Sequence, residues 1–301
     1  YVLDFSRKEV VDYIYIMTAK ILRESKISYV KWDMNRNITE CYSTAYEACQ
    51  QGEIFHRYIL GLYDLYERLT SEFPHILFES CASGGGRFDP GLLYYAPQAW
   101  TSDDTDAVER LKIQYGTSYA YPLSSMGAHV SITPNHQLGR STPLKMRGDV
   151  ACFGAFGYEL DLAQLSAEEL EEVKQQIRFV KTYRHMIHTG SFYRLLSPFE
   201  GNITAWMVVS EDQKHAIVAY FKVLNDANCE YRRIRLKGLK EEICYRVADE
   251  YAQSEDFYGS ELMQIGLIIT DSSAGQPLGE GKYGELCTDF WSRMILLDAV
   301  E

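Results

Sequence analysis

Three short stretches of this 301-residue sequence gather the side chains that could do chemistry: Lys31-Trp32-Asp33-Met34-Asn35-Arg36, Glu79-Ser80-Cys81-Ala82-Ser83-Gly84-Gly85-Gly86-Arg87 and Trp100-Thr101-Ser102-Asp103-Asp104-Thr105-Asp106. In each, carboxylates stand near cations, amides or indoles. Cleavage of a glycosidic bond needs that combination: two carboxyl groups flanking the bond, aromatic faces against the apolar side of a sugar, and polar groups for its hydroxyls. A retaining reaction holds the two carboxyls about 5–5.5 Å apart, one as nucleophile and the other as acid and then base. Asp33 and Asp103 are the candidate pair. Each also has a simpler reading: Asp33 could sit in a surface ion pair with Lys31 and Arg36, and Asp103 or Asp104 could cap the helix that carries Val108 and Leu111.

Residues so far apart meet only if the elements carrying them bring several strand ends together. Ser6 and Glu9 have the spacing of a capping box, and Val10, Ile14, Met17 and Ile21 then step along one helical face. The short apolar segment Ile27 to Trp32 reads as a buried parallel strand that ends in polar residues at the rim of its sheet. Tyr58, Leu62, Leu65 and Leu69 mark a second helix, and Ile76-Leu77-Phe78 a second strand running into Glu79. Further strands are expected at Gln98 to Thr101, Met126 to Ser131 and Gly157 to Asp161, with a helix carrying Val108, Leu111 and Tyr115 among them. Ser166 and Glu169 form another capping box ahead of Leu170, Val173, Ile177 and Val180. With Tyr1 to Asp4 taken as a strand, six strand-then-helix units result.

Beyond about residue 195 the pattern turns to β segments: Thr204 to Val209, Ala216 to Val223, Tyr231 to Leu236, Leu267 to Ile269 and Trp291 to Leu297. These predict an antiparallel sandwich with Trp206 and Trp291 in its core. The expected organisation is therefore 1–195 as part of an α/β domain and 196–301 as the sandwich, with the boundary between Gly190 and Gly201. Six units suit a doubly wound sheet or part of a (β/α)8 barrel. A dinucleotide-binding sheet would want G-x-G-x-x-G opening a helix, but Gly84-Gly85-Gly86 runs into Arg87-Phe88-Asp89-Pro90, which reads as a loop. In a barrel the loops at the carboxyl ends of the strands build the site, which is where the three polar stretches fall.

Composition narrows the ligand. The formal charge of -12 disfavours nucleic acid and anionic membrane surfaces, so a neutral or cationic small molecule is the expected partner. Seven scattered cysteines without a CxxC pair predict free thiols in a reducing, cytoplasmic setting. No H-E-x-x-H or Cys/His cluster is present, so neither a metal nor a cofactor is expected, and His129 and His136 read as hydrogen-bonded loop histidines. The sequence opens at Tyr1 without an initiator methionine, which suggests a start partway through a longer protein.

Taken in order, Lys31 to Arg36, Cys81 to Asp89, Tyr94 to Asp103, Lys112 to Ser118, Met126 to Ser131 and Pro134 to Gln137 resemble the signature blocks of glycoside hydrolase family 36 over roughly residues 1 to 160. The resemblance implies a (β/α)8 TIM-type barrel, here lacking its N-terminal strands, followed by a small antiparallel β-sandwich. It implies retaining α-galactosidase chemistry on a carbohydrate substrate, in an enzyme that is often a homotetramer. Asp33 would be the nucleophile and Asp103 the acid/base, with Asp104 as the alternative. Lys31 and Asn35 would bind ring hydroxyls, and Trp32, Cys81, Ser83, Gly84 and Trp100 would line the pocket. The family's galactosyl transferases and α-N-acetylgalactosaminidases, and a non-catalytic carbohydrate-binding role, stand as alternatives. The family's further sugar ligands lie on earlier strands that this sequence lacks, so the 301 residues alone are expected to be inactive.

Overall fold

A computed structural model describes residues 2–39, 41–226, 232–248, 254–269 and 288–300. The chain packs as two units, one ending at Asp103 and one beginning at Asp104.

The first unit alternates helix and strand: α1 Lys8–Glu24, β1 Tyr29–Asp33, α2 Ile54–Glu72, β2 Leu77–Cys81, α3 Pro90–Tyr95 and β3 Gln98–Trp100. The strands are parallel, with β2 between β1 and β3, and the register pairs Lys31 with Glu79, Asp33 with Cys81 and Glu79 with Gln98. Side chains on a strand alternate between faces. Val30, Trp32 and Phe78 therefore point to one face, where they join Leu62, Leu65 and Leu69 of α2 and Val11 and Leu22 of α1 in a single core. Tyr29, Lys31, Asp33, Glu79, Cys81, Gln98 and Trp100 fall on the other face.

Four local expectations change in this unit. Val2–Asp4 is not a strand, and Tyr1 lies outside the described residues. The Asp4 carboxylate instead accepts from the Ser6 N–H and hydroxyl and from the Ser43 hydroxyl, which holds the segment as a turn into α1. Ser6 and Glu9 consequently form no capping box: the N-cap is Arg7, whose guanidinium pairs with Glu9. On α1 the buried stripe is Val11, Ala19 and Leu22, while Met17 and Ile21 are exposed, because the helix carries two apolar stripes and α2 covers only one. Finally, Asp89-Pro90 opens α3. Asp89 accepts from the Leu92 N–H as N-cap, and Pro90 occupies the first turn, where its missing N–H costs nothing.

The second unit continues with α4 Ala107–Thr117, β4 Met126–Ser131, α5 Leu144–Ala151, β5 Ala155–Glu159 and α6 Ala167–Thr189. β4 and β5 pair in parallel. With β1 to β3 the described residues hold five parallel strands, one fewer than the six expected, because Val2–Asp4 is a turn. Ser166 and Glu169 do form their capping box at the start of α6. Nothing in the hydrophobic pattern indicated α5, since its buried residues, Leu144, Met146, Arg147, Gly148, Val150 and Ala151, surround the helix and leave no amphipathic period.

Immediately after α6 come β6 Ser191–Leu196, β7 Ile203–Val209, β8 His215–Lys222, β9 Arg232–Ile234, β10 Cys244–Ala248, β11 Glu255–Tyr258, α7 Gly259–Gln264, β12 Leu267–Ile269 and β13 Trp291–Ala299. Six strands form one antiparallel sheet in the order β11-β10-β13-β8-β7-β6, and β9 pairs with β12. β6, β10, β11 and the short helix α7 were not apparent in the sequence pattern, and Tyr231 lies outside the described residues.

One face of the large sheet, with Trp206, Val208, Ile217 and Phe221, packs on residues of α4, α5 and α6. The other, with Met207, Val218 and Tyr220, packs on Ile234, Leu262, Leu267 and Ile269. Burial on both faces explains why β7 and β8 read as unbroken apolar runs. Trp206 is fully buried and Trp291 nearly so. Among the described residues no helix is long and apolar enough to cross a membrane.

Candidate active site

The polar face of β1, β2 and β3 is layered by strand register. Lys31, Glu79 and Gln98 form a lower layer, and Asp33 and Cys81 an upper one. Trp100, at the end of β3, follows Gln98 by two residues and shares its face. Asp33 is the last residue of β1, and Asp103 follows the end of β3 by three residues. Both are exposed.

Asp33 is held by two donors. The Asn35 Nδ2 lies 3.0 Å from its Oδ2, and the Cys81 thiol hydrogen-bonds to its carboxylate. Burial pushes that thiol up to about 11; a backbone hydrogen bond at Gly84 opposes the shift, while the hydrogen bond and negative charge of Asp33 add to it. At neutral pH Cys81 is therefore an S–H donor, inert as a nucleophile and able to orient a carboxylate. The simple ion-pair reading of Asp33 is not what the structure shows among the described residues. Lys31 pairs with Glu79 at 3.9 Å and lies over the Trp100 ring, 4.9 Å from its centroid. The Arg36 carbonyl accepts from Arg87 at 2.7 Å.

The loop after β2 ties the two aspartate segments together. Asn35 accepts from the Ser83 N–H at 3.0 Å, and the Ser83 hydroxyl donates to the Asn35 carbonyl at 2.9 Å. Ser83 and Gly84 adopt φ of 51° and 78°, a left-handed pair that glycine accepts freely and serine only when held. On the far side the Gly85 N–H donates to the Thr101 carbonyl at 3.0 Å. A methyl at residue 84 would stand 2.6 Å from Ser102 Cα and 3.0 Å from the Asp103 nitrogen. Gly84 is glycine because backbone passes there; its contribution is to let the loop seat the Asp103 segment. Arg87 completes the clamp by donating to the carbonyls of Met34 and Arg36.

The helix cap weighed for Asp103 or Asp104 belongs to Asp106. Its buried carboxylate accepts from the N–H groups of Val108 and Glu109 and pairs with Arg140, and Asp104 accepts from the Asp106 N–H at 3.0 Å. Asp103 is not used as the cap. Trp32 does not join the other site candidates: it sits on the opposite face of β1, against Tyr66 in the helix-covered core. His129 lies on β4, with Nδ1 3.5 Å from Glu159, and not in a loop. Glu79 and Arg87, which stand in the polar stretches without an assigned role, and Tyr29 and Gln98, which do not, also belong to this face and its loop. Strand alternation held the signal for three of them, since Glu79 shares its face with Cys81, Tyr29 with Lys31 and Gln98 with Trp100.

Exposed carboxylates therefore stand at the carboxyl ends of parallel strands, one clamped by neutral donors and both joined by a glycine-bearing loop, the end of a parallel barrel where ligand sites are built. Comparison with known proteins makes the class specific. Residues 1–190 match the melibiase family and residues 203–297 the glycosyl hydrolase family 36 C-terminal domain, so the chain belongs to glycosyl hydrolase family 36. It is 55% identical, over all of its length, to alpha-galactosidase AgaA of Geobacillus stearothermophilus, and 47% identical over 89% of its length to the bifunctional alpha-galactosidase/sucrose kinase AgaSK of Mediterraneibacter gnavus. The chain spans 39% of the first relative and 27% of the second.

A crystal structure of AgaA in complex with raffinose superposes with a TM-score of 0.89 over 99% of this chain and 39% of that one, at 51% identity. The alpha-galactosidase from Lactobacillus brevis gives 0.90 over 100% and 39%, at 49% identity. The fold is accordingly part of a (β/α)8 barrel followed by the family's C-terminal antiparallel sheets.

Proposed function

We propose that this chain supplies the nucleophile and the acid/base of a retaining α-galactosidase. Asp33 attacks the anomeric carbon of a terminal α-galactoside as Asp103 protonates the departing glycosidic oxygen, leaving a galactosyl ester on Asp33. Asp103, now a carboxylate, takes a proton from water, and that water releases galactose with its configuration retained. Lys31 and Asn35 bind hydroxyls, Trp100 forms a wall beneath Lys31, and Cys81 and Ser83 hold the floor and the loop, with Gly84 seating the Asp103 segment. The barrel part and the sandwich meet near the expected boundary at about residue 195, with β6, Ser191–Leu196, as the first strand on the sandwich side.

The observation that carries the reading is the clamp on Asp33: a carboxylate at a strand end fixed by Asn35 and an un-ionised Cys81, with no cation among its hydrogen-bonding partners in the described residues. Two solved structures of AgaA with sugar bound, one with raffinose and one with stachyose, carry replaced aspartates whose positions are 70 residues apart, the separation of Asp33 and Asp103. The relatives' names favour hydrolysis over transfer to a second sugar. The five described cysteines are free thiols, which supports a cytoplasmic setting, and the family resemblance supports a homo-oligomer.

The test is kinetic. In the full-length protein, Asp33→Asn and Asp103→Asn should each lower turnover of an aryl α-galactoside by at least about a thousandfold, the scale lost when one essential group is removed. Azide should yield α-galactosyl azide, with retention, from the Asp103→Ala enzyme and β-galactosyl azide, with inversion, from the Asp33→Ala enzyme. Full activity in either Asn variant overturns that residue's role.

A further inference from the structure

The proposed site leaves one charged group without a task. Glu79 lies in the middle of β2 and is 3% exposed, although carboxylates are rarely buried without a strong partner. Its Oε2 accepts from the Tyr29 hydroxyl and, at 3.3 Å, from the Gln98 amide. These two neutral donors come from the strands on either side and fix the plane of the carboxylate. Its Oε1 is buried with no hydrogen-bond partner. The Lys31 ammonium lies at 3.9 Å, just outside hydrogen-bond reach and close enough for an attraction that solvent only partly screens.

That separation matters. A direct hydrogen bond would consume one of the three ammonium donors and draw Lys31 down into the sheet. At 3.9 Å the attraction restrains the ammonium without spending a donor. The Trp100 ring, 4.9 Å away, restrains it from a second side through its π face. A lysine side chain otherwise carries rotamer entropy that ordering on a ligand would cost. Here the two restraints have already reduced that freedom. Lys31 and Glu79 face each other across the β1–β2 register, so the geometry is set by backbone pairing and not by a mobile loop.

We propose that Glu79 is the positioning residue for Lys31: a buried counter-charge, gripped by Tyr29 and Gln98, that pre-orders the ammonium over Trp100 so that its donors meet sugar hydroxyls. This rests on the reading of the surrounding face as the galactoside pocket. Glu79 touches no substrate and acts through Lys31 alone. It follows that its removal weakens the pocket only while Lys31 is present.

The decisive experiment is a double-mutant cycle in the full-length protein, read as kcat and KM on an aryl α-galactoside. Glu79→Gln should lower kcat/KM by about tenfold or more, mainly through KM. In the Lys31→Met background the same substitution should change kcat/KM by less than about twofold, since coupled residues fail to add whereas independent ones do. Gln98→Leu, which loosens the carboxylate without removing its charge, should give a smaller loss in KM that also vanishes when Lys31 is Met. It carries the test if Glu79→Gln folds poorly. An undiminished effect of both substitutions in the Lys31→Met background overturns the proposal and leaves the pocket intact. Wild-type kinetics for Lys31→Met overturn the proposal together with the pocket reading on which it rests.

Discussion

Replacing Gly84 by alanine tests whether the loop after β2 positions Asp103. The added methyl would stand 2.6 Å from Ser102 Cα and 3.0 Å from the Asp103 nitrogen, both backbone atoms that cannot rotate away. Carbon atoms prefer about 3.5–4.0 Å, so the two segments must part by roughly 1 Å. The φ of 78° adds to the cost, because an L-residue in that region is about 1–2 kcal/mol worse than glycine. With about 1–3 kcal/mol for overpacking, the variant should be destabilised by about 2–5 kcal/mol. Chemical denaturation reads this directly.

The kinetic consequence is more specific. A displacement of about 1 Å at a catalytic group costs on the order of a hundredfold in rate. If Asp103 is the acid/base, both displacements slow, but kcat/KM reports the first, in which the leaving group is protonated, and it is in kcat/KM that the two substrates should differ. Raffinose, whose leaving alkoxide needs that proton, should suffer far more than an aryl α-galactoside whose phenolate leaves unaided. Equal losses on both substrates, or wild-type stability and rates, would refute the reasoning.

Cys81 should resist iodoacetamide between pH 7 and 9, because burial holds its thiol up to about 11 and only the thiolate reacts, while exposed Cys49 is alkylated over the same range. Peptide mass spectrometry distinguishes the two, and rapid labelling of Cys81 at pH 8 would contradict the clamp. The same shift lowers stability as pH rises: the folded state keeps a proton that the unfolded thiol loses near pH 8.5–9, so stability should fall between about pH 9 and 11. Cys81→Ala should remove that part of the decline in pH-dependent melts. Leu65→Ala, in the fully buried seam between α1 and α2, should cost about 2–5 kcal/mol in urea unfolding with little change in substrate binding. Asp106→Ala should cost more than the usual cap loss of about 0.5–2 kcal/mol, because it also strips Arg140 of its buried partner.

Elements with one covered face were legible in the sequence: the three- and four-residue steps of Tyr58, Leu62, Leu65 and Leu69 mark α2, and Ser166 with Glu169 marks the start of α6. Elements covered all round were not. α5 has no amphipathic period because its neighbours surround it. At the site, the residues that carry polar chemistry stood out as types, but their faces did not. Strand alternation separates Trp32 from Lys31 and Asp33, and applying it strictly would have moved Trp32 to the core and promoted Glu79. Capping needed tertiary knowledge. Three aspartates competed for the start of α4, and the one with Arg140 within reach took the cap, which freed Asp103. Of the partners of Asp33, Asn35 lies only two residues on, whereas Cys81, across a strand pair, follows from pairing that no local pattern encodes.

Covalent trapping tests the central claim most directly. A fluorinated α-galactosyl fluoride that slows the second displacement should leave one galactosyl group on the full-length protein, and proteolysis with mass spectrometry should place it on Asp33. A label on Asp103, on Asp104 or on any residue outside the β1 strand end would contradict the account.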